Sequence, residues 1–319
     1  MRIVLTGASG FVGRCLLNEL LEAEHQVTAV LRRQADGVDP RTSVQVIDDF
    51  ARSLNWGALL NGQEIVVHCA ARVHVMNDTS SDPLTEFRKV NVEGTLNLAR
   101  QAAAAGVRRF IFISSIKVNG EGTALAAPYR GDAQPAPADP YGISKMEAEQ
   151  GLRALAVETG MAVVIIRPVL VYGPGVKANF LSMMSWLHKG VPLPFGAIHN
   201  RRSLVALDNL VDLIVTCIDH PAAANQTFLV SDGEDLSTSE LLRRMGVALG
   251  KPARLLPVPS WMLEAGAAML GKKALSQRLC GSLQVDISKT RELLNWTPPV
   301  SVDEALRKTA KHFLEQHAK

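Results

Sequence analysis

Apolar residues fall into short unbroken runs, separated by longer stretches in which they recur every three or four positions. The runs Arg2–Thr6, Gln26–Leu31, Val44–Ile47, Ile65–Cys69, Arg109–Ser114 and Val163–Arg167 are mostly β-branched and nearly all apolar, as in strands covered on both faces. Between them Phe11–Glu24, Ser53–Leu60, Pro83–Ala105 and Pro140–Thr159 read as helices. This alternation predicts an α/β fold built on a doubly wound parallel sheet. Right-handed crossovers line up the C-terminal ends of such strands along one edge, where ligands bind.

The pattern changes after residue 172. Gly173-Pro174-Gly175 and Pro192-Leu193-Pro194 punctuate a stretch that reads as loop-rich. Ser203–Leu207 and Thr227–Val230 are strand-like and are expected to return to the main sheet. Ser237-Thr238-Ser239-Glu240 is a capping-box candidate ahead of a helix over Leu241–Leu249. An apolar helix over Trp261–Leu270 is expected to pack under a second lobe, since no cationic residues line its opposite face; contact with a membrane surface is the alternative.

Gly7, Gly10 and Gly13 lie between the first strand and the first helix. Gly7 permits a tight turn, Gly10 lets backbone approach a pyrophosphate, and Gly13 lets the helix pack closely on the strand. The amides of Phe11, Val12 and Gly13, with the helix dipole, then hold negative charge. Residues 1–172 therefore read as a dinucleotide-binding Rossmann domain, rejoined by about 201–231, and 173–319 mainly as a smaller substrate lobe. At the end of the second strand, Leu31-Arg32-Arg33 offers no acid for a ribose 2′-hydroxyl. Arg32 and Arg33 suit a 2′-phosphate, which favours NADP over NAD; solvated surface charges are the alternative. Asp48 and Asp49 are candidates for an adenine contact or for a helix cap.

Tyr141 and Lys145 share one face of a helix through their spacing of four. The ammonium is expected to lower the phenol's pKa and to hydrogen-bond a nicotinamide ribose, leaving Tyr141 as proton donor or acceptor. Ser115 ends the apolar strand 26 residues earlier, at the ligand edge of the sheet, where its hydroxyl can polarise the same oxygen. Asn91, inside the preceding helix, either holds a water or a backbone kink near the lysine or lies on the helix surface. His74 is a candidate proton relay or an ordinary exposed histidine, in a 72–76 segment expected to line the substrate pocket.

Composition narrows the partners. The chain has 319 residues, 47% apolar and 20% charged, with a formal net charge of only +3 and no long basic run, which argues against nucleic acid. Four scattered cysteines form no CxxC pair or Cys/His cluster, so no metal site is expected. No apolar run reaches membrane-spanning length, and the first residues already read as a strand, so a cytoplasmic protein is expected.

Together these motifs resemble the extended short-chain dehydrogenase/reductases that act on nucleotide sugars. The resemblance spans Thr6–Gly13, His68-Cys69-Ala70-Ala71, Asn91–Thr95, Ser114-Ser115, Tyr141–Lys145, Arg167–Gly175, Arg201–Asp208 and Asp286–Lys289. It implies cofactor contacts at Ala70, Ala71, Asn91 and Pro168, and a UDP-sugar held by Asn179, Arg201 and Arg278. It also implies a homodimer formed through the two long helices. Ser114-Ser115-Ile116-Lys117-Val118-Asn119-Gly120 departs from the usual family pattern, with Lys117 and Asn119 in place of commoner residues near the sugar site. That stretch looks like the O-antigen sugar reductases and epimerases, nearest the UDP-N-acetylquinovosamine dehydrogenase type. The likeness implies NADPH-dependent reduction of a UDP-4-keto-6-deoxy-N-acetylhexosamine at C4. The alternatives are a UDP-hexose 4-epimerase with tightly held NAD and a non-catalytic NADP-binding sensor.

Overall fold

The computed structural model describes residues 1–33, 38–51, 54–73, 82–269, 271 and 273–317. Its strands are β1 (Arg2–Thr6), β2 (Gln26–Leu31), β3 (Ser43–Val46), β4 (Ile65–His68), β5 (Arg109–Ile113), β6 (Ala162–Pro168), β7 (Leu170–Tyr172), β8 (Arg202–Ala206), β9 (Thr227–Val230) and β10 (Asp235–Leu236). The helices are α1 (Phe11–Glu22), α2 (Gly57–Leu60), α3 (Pro83–Arg88), α4 (Thr95–Ala104), α5 (Pro140–Thr159), α6 (Ala178–His188), α7 (Leu207–Asp219), α8 (Thr238–Ala248), α9 (Ser260–Met269), α10 (Lys273–Cys280), α11 (Ser288–Leu294) and α12 (Val302–His317).

Among the described residues, seven strands form one sheet in the order β3-β2-β1-β4-β5-β6-β9. Every pairing in it is parallel. Winding reverses between β1 and β4, so a crevice opens there above the strand C-termini. The continuous apolar runs are explained by helices on both sides. One face of the sheet packs Leu16, Leu20, Leu210 and Ile214 of α1 and α7, and the other packs Leu98, Ala102, Leu152 and Leu155 of α4 and α5. Only β3, at the sheet edge, is exposed along its length.

Thr227–Val230 joins this sheet beside β6, as expected, but the strand read at Ser203–Leu207 does not. It forms β8, which lies parallel to β7 and antiparallel to β10 in a separate three-stranded sheet. A short apolar run fixes burial but not its partner, so either sheet satisfies the pattern. The stretch read as loop-rich contains α6, whose Phe180, Met183, Met184 and Leu187 are buried at helical spacing. Ser237 caps α8 by accepting a hydrogen bond from the Glu240 amide (3.0 Å), while the Glu240 carboxylate pairs with Arg244 instead of closing the box. The helix at Trp261 exists as α9, but it does not pack under the lobe: it runs along α10 and buries none of its own side chains. No helix among the described residues is long and apolar enough to cross a membrane.

Candidate active site

A cleft of about 860 Å³ lies over the C-terminal ends of β1, β4, β5 and β6. Its floor is the turn from β1 into α1. Gly7 holds φ +72°, and a Cβ on Gly13 would lie 2.1 Å from the Gly7 carbonyl oxygen, so backbone occupies the space that side chains would fill. No side chain caps α1, and the amides of its first turn face the cleft beside Gly10, Phe11, Val12 and Gly13. The N-terminus of a twelve-residue helix is suited to bind an anion such as a pyrophosphate. Ala70, Ala71 and Pro168 form further walls, and Arg32 and Asp49 line the far end. Asp49 also accepts a hydrogen bond from the Ala51 amide (2.9 Å). Arg33 and Asp48 are exposed and are not among the walls.

Ser115, Tyr141 and Lys145 meet in this cleft. Asp139 and Pro140 start α5 where the sequence places it: the Asp139 carboxylate accepts from the Gly142 amide (2.6 Å), and Pro140 occupies the first turn. Tyr141 thereby sits in the first turn of α5 and Lys145 one turn further in. Ser115 lies two residues beyond the end of β5 and caps a 3₁₀ turn over Ile116–Val118. Its hydroxyl hydrogen-bonds the phenol of Tyr141.

The electrostatics differ from the expectation of an acidified phenol. Burial and the Asp139 carboxylate push Tyr141 up to about 12, against the hydrogen bond from Ser115. The Lys145 ammonium turns to the Ile113 carbonyl (2.9 Å) and lies 4.4 Å from the centre of the Phe112 ring. Burial pulls Lys145 down to about 8, while the negative charge of Glu149 works the other way. A fully buried ammonium with one carbonyl partner retains donors for another acceptor, which suits the ribose hydroxyls of a dinucleotide.

Lys145 makes a stability prediction. With about 8 in the native state and 10.5 in the unfolded chain, the unfolded state binds more protons between those values. Its contribution therefore makes the protein more stable as pH rises from about 8 to about 10.5. Urea melts across this window should show that rise in the difference between wild type and Lys145→Met. A difference that is flat or opposite in slope contradicts it.

Beneath the cleft lies a buried ionic network. Arg167 of β6 donates to both Glu149 oxygens of α5 (2.9 and 2.6 Å) and to Asn119 Oδ1 (2.9 Å). Ser114 donates to Glu149 (2.6 Å). The segment carrying Ser115 is thus clamped from below to both the strand and the helix that flank it.

Two residues expected at the ligand are engaged elsewhere. Asn91 is buried in a π-helical turn, Lys89–Gly94, between α3 and α4. Its amide accepts from the Arg72 amide (2.8 Å) and donates to the Arg72 carbonyl and Ser144 Oγ (3.0 Å each). It therefore fastens the segment after β4 to α5. Lys117 pairs with Asp139 and with Glu121 (2.9 Å), tying the turn after Ser115 to the start of α5. Burial raises the Asp139 carboxyl, but Lys117 and the Gly142 amide outweigh it and hold the group below its ordinary value. His74 and residues 75–76 lie outside the described residues.

The substrate-side candidates are separate from this cluster. Asn179, Arg201 and Arg278 are exposed and are not walls of the cleft. Arg202, half-buried, is held below the ordinary guanidinium value by burial and by nearby Arg278. Sequence reasoning missed Arg202 and also Lys177, which stands in the cleft wall at the start of α6. Strand alternation flags Arg202, since neighbours on β8 face opposite ways.

Residues 3–231 match the profile described as the NAD dependent epimerase/dehydratase family. The chain belongs to this family. It is accordingly a nicotinamide-dinucleotide-dependent enzyme of the extended short-chain dehydrogenase/reductase group. Among the family's members, UDP-glucose 4-epimerase of Vibrio cholerae is 52% identical over 315 residues, covering 98% of this chain and 95% of that protein. The solved structure of Thermotoga maritima UDP-glucose 4-epimerase with UDP-glucose superposes with a TM-score of 0.80 at 23% identity, covering 99% of this chain and 100% of that one. Bacillus cereus UDP-glucuronic acid 4-epimerase in complex with NAD gives 0.79 at 20% identity, with both chains covered in full. The Vibrio relative overturns the expectation of a 4-keto-sugar reductase. That expectation rested on the short stretch from Ser114 to Gly120, in which Lys117 pairs with Asp139.

Proposed function

We propose that the enzyme is a UDP-hexose 4-epimerase that holds NAD. The observation carrying this reading is the 52% identity, over nearly the whole chain, to a UDP-glucose 4-epimerase. The meeting of Ser115 and Tyr141 hydroxyls in the cleft over the glycine turn supplies the chemistry. Bound NAD would supply a reversible hydride acceptor for the sugar C4 and a positive charge that favours the phenolate.

Tyr141 Oη removes the proton of the C4 hydroxyl and later gives it back. Because burial and Asp139 hold the phenol protonated in the free enzyme, its basic form arises only in the loaded site. Ser115 Oγ hydrogen-bonds the same sugar oxygen as charge develops on it. Lys145 Nζ, fixed by the Ile113 carbonyl and the Phe112 ring, holds the ribose end of the dinucleotide. The first-turn amides of α1 bind the pyrophosphate. Asn179, Arg201 and Arg278 take the UDP diphosphate, joined by Arg202, since closely spaced guanidiniums suit a phosphate pair. Arg32, at the end of β2, borders the adenosine ribose.

Purified protein given UDP-galactose and no added nucleotide is expected to form UDP-glucose without net change in NADH. Unfolding it should release NAD. Release of NADP instead would reassign Arg32 to a 2′-phosphate. Stoichiometric consumption of a nicotinamide, or no interconversion even with NAD supplied, would overturn the reading.

A further inference from the structure

Helix α9 is built as a core helix and placed as a surface one. Of its ten residues, Ser-Trp-Met-Leu-Glu-Ala-Gly-Ala-Ala-Met, only Glu264 is charged, yet none is buried. Trp261 is 67% exposed, Met262 49% and Met269 88%, and Leu256, just before the helix, is 52% exposed. The flanks of α9 and α10 are anchored: Leu255 and Leu279 pack on the core formed by α6, α8 and α12, and residues 193–197 bond to 254–259. The large apolar side chains of α9 take no part in that anchoring.

Charge is segregated along the sequence on either side of this helix. Residues 250–281 hold Lys251, Arg254, Lys272, Lys273 and Arg278 against the single acid Glu264, a net charge of +4, more than the +3 of the whole chain. The adjoining stretch 189–202 adds Lys189, Arg201 and Arg202 and contains no acid. The rest of the molecule is therefore net negative. An exposed Trp and methionines set among cations complement an anionic lipid surface, which takes apolar side chains at its headgroup boundary and attracts the flanking lysines and arginines. A soluble monomer rarely exposes such a run of large apolar groups without a partner.

We propose that α9, through Leu256, Trp261, Met262 and Met269, docks the enzyme on an anionic phospholipid bilayer. Insertion is interfacial, since the helix has ten residues and none of the described helices can span a membrane. Docking brings the lobe carrying Arg201 and Arg278 toward the lipid, so the sugar site works close to the membrane surface.

Full-length protein should co-sediment with vesicles containing about 30% phosphatidylglycerol in phosphatidylcholine, and at least about tenfold less with phosphatidylcholine alone. Salt at about 0.5 M should weaken the binding, because charge attraction is screened. Trp261→Ser/Met269→Ser should lower the bound fraction about tenfold and leave turnover of a soluble UDP-sugar unchanged. Arg254→Glu should weaken binding without touching the apolar face. Trp261 fluorescence should shift to the blue with anionic vesicles, a shift absent in Trp261→Phe. Equal sedimentation of wild type and the double variant, or of both vesicle types, overturns the proposal. So does a wild-type oligomer that the double variant dissolves, since a second copy would then cover α9.

Discussion

Tyr141→Phe is expected to lower kcat by about a thousandfold while the protein keeps its bound dinucleotide. The substitution removes one oxygen and leaves the ring, whose edge contact with Phe87 at 5.9 Å persists. Lys145 still donates to the Ile113 carbonyl, and the amides at the start of α1 are untouched. Only the proton transfer at the sugar C4 oxygen and the hydrogen bond from Ser115 are lost. Initial rates together with nucleotide content per subunit check this. Full activity in the variant would remove Tyr141 from the chemistry, and loss of nucleotide would show that the phenol serves binding.

The second large effect concerns stability. Arg167 is 1% exposed, and its guanidinium depends on the Glu149 carboxylate, which also accepts from Ser114. Glu149→Ala strands that cation in a low-dielectric interior, and a loss of about 3–5 kcal/mol is expected. Replacing both partners, as Glu149→Met/Arg167→Met, should recover most of the loss, because no uncompensated charge then remains. Urea midpoints of the three proteins decide the matter. If the double variant is as unstable as Glu149→Ala, stability rests on packing at these positions and not on charge pairing. Activity of the double variant should remain reduced, since Ser114 no longer has the carboxylate that holds the neighbouring Ser115.

How much of this was legible in the sequence follows from what each feature depends on. The main-sheet strands at Arg2, Gln26, Ile65, Arg109 and Ala162 were readable because burial on both faces demands unbroken apolar runs. The bounds of α5 were readable because they are local: a cap at Asp139, Pro140 in the first turn, and Gly160 in the left-handed conformation at the end. The glycine turn and the Ser115, Tyr141, Lys145 cluster were also readable, because their geometry follows from spacing within a strand, a turn and a helix.

What was not legible depends on distant partners. Lys117 meets Asp139 across 22 residues, and Glu149 meets Arg167 across 18, with no periodic trace of either pairing. A backbone kink at Asn91 was one reading of the sequence, but its partners Arg72 and Ser144 were not legible within what reads as one continuous helix. The direction of the Tyr141 shift was misjudged because helical spacing brings Lys145 near the phenol without showing that its ammonium faces Ile113 and Phe112. Helix α9 was expected under the second lobe because no cationic residues line its opposite face, and only packing reveals its exposed apolar side chains.

The central claim is that hydride leaves and re-enters the sugar at C4 within one loaded site built around Tyr141. Its most direct test is turnover of UDP-glucose carrying deuterium at C4, in ordinary water and without added nucleotide. The account predicts UDP-galactose that keeps the deuterium at C4. Loss of the label to solvent, or its appearance in free reduced nicotinamide, would contradict it.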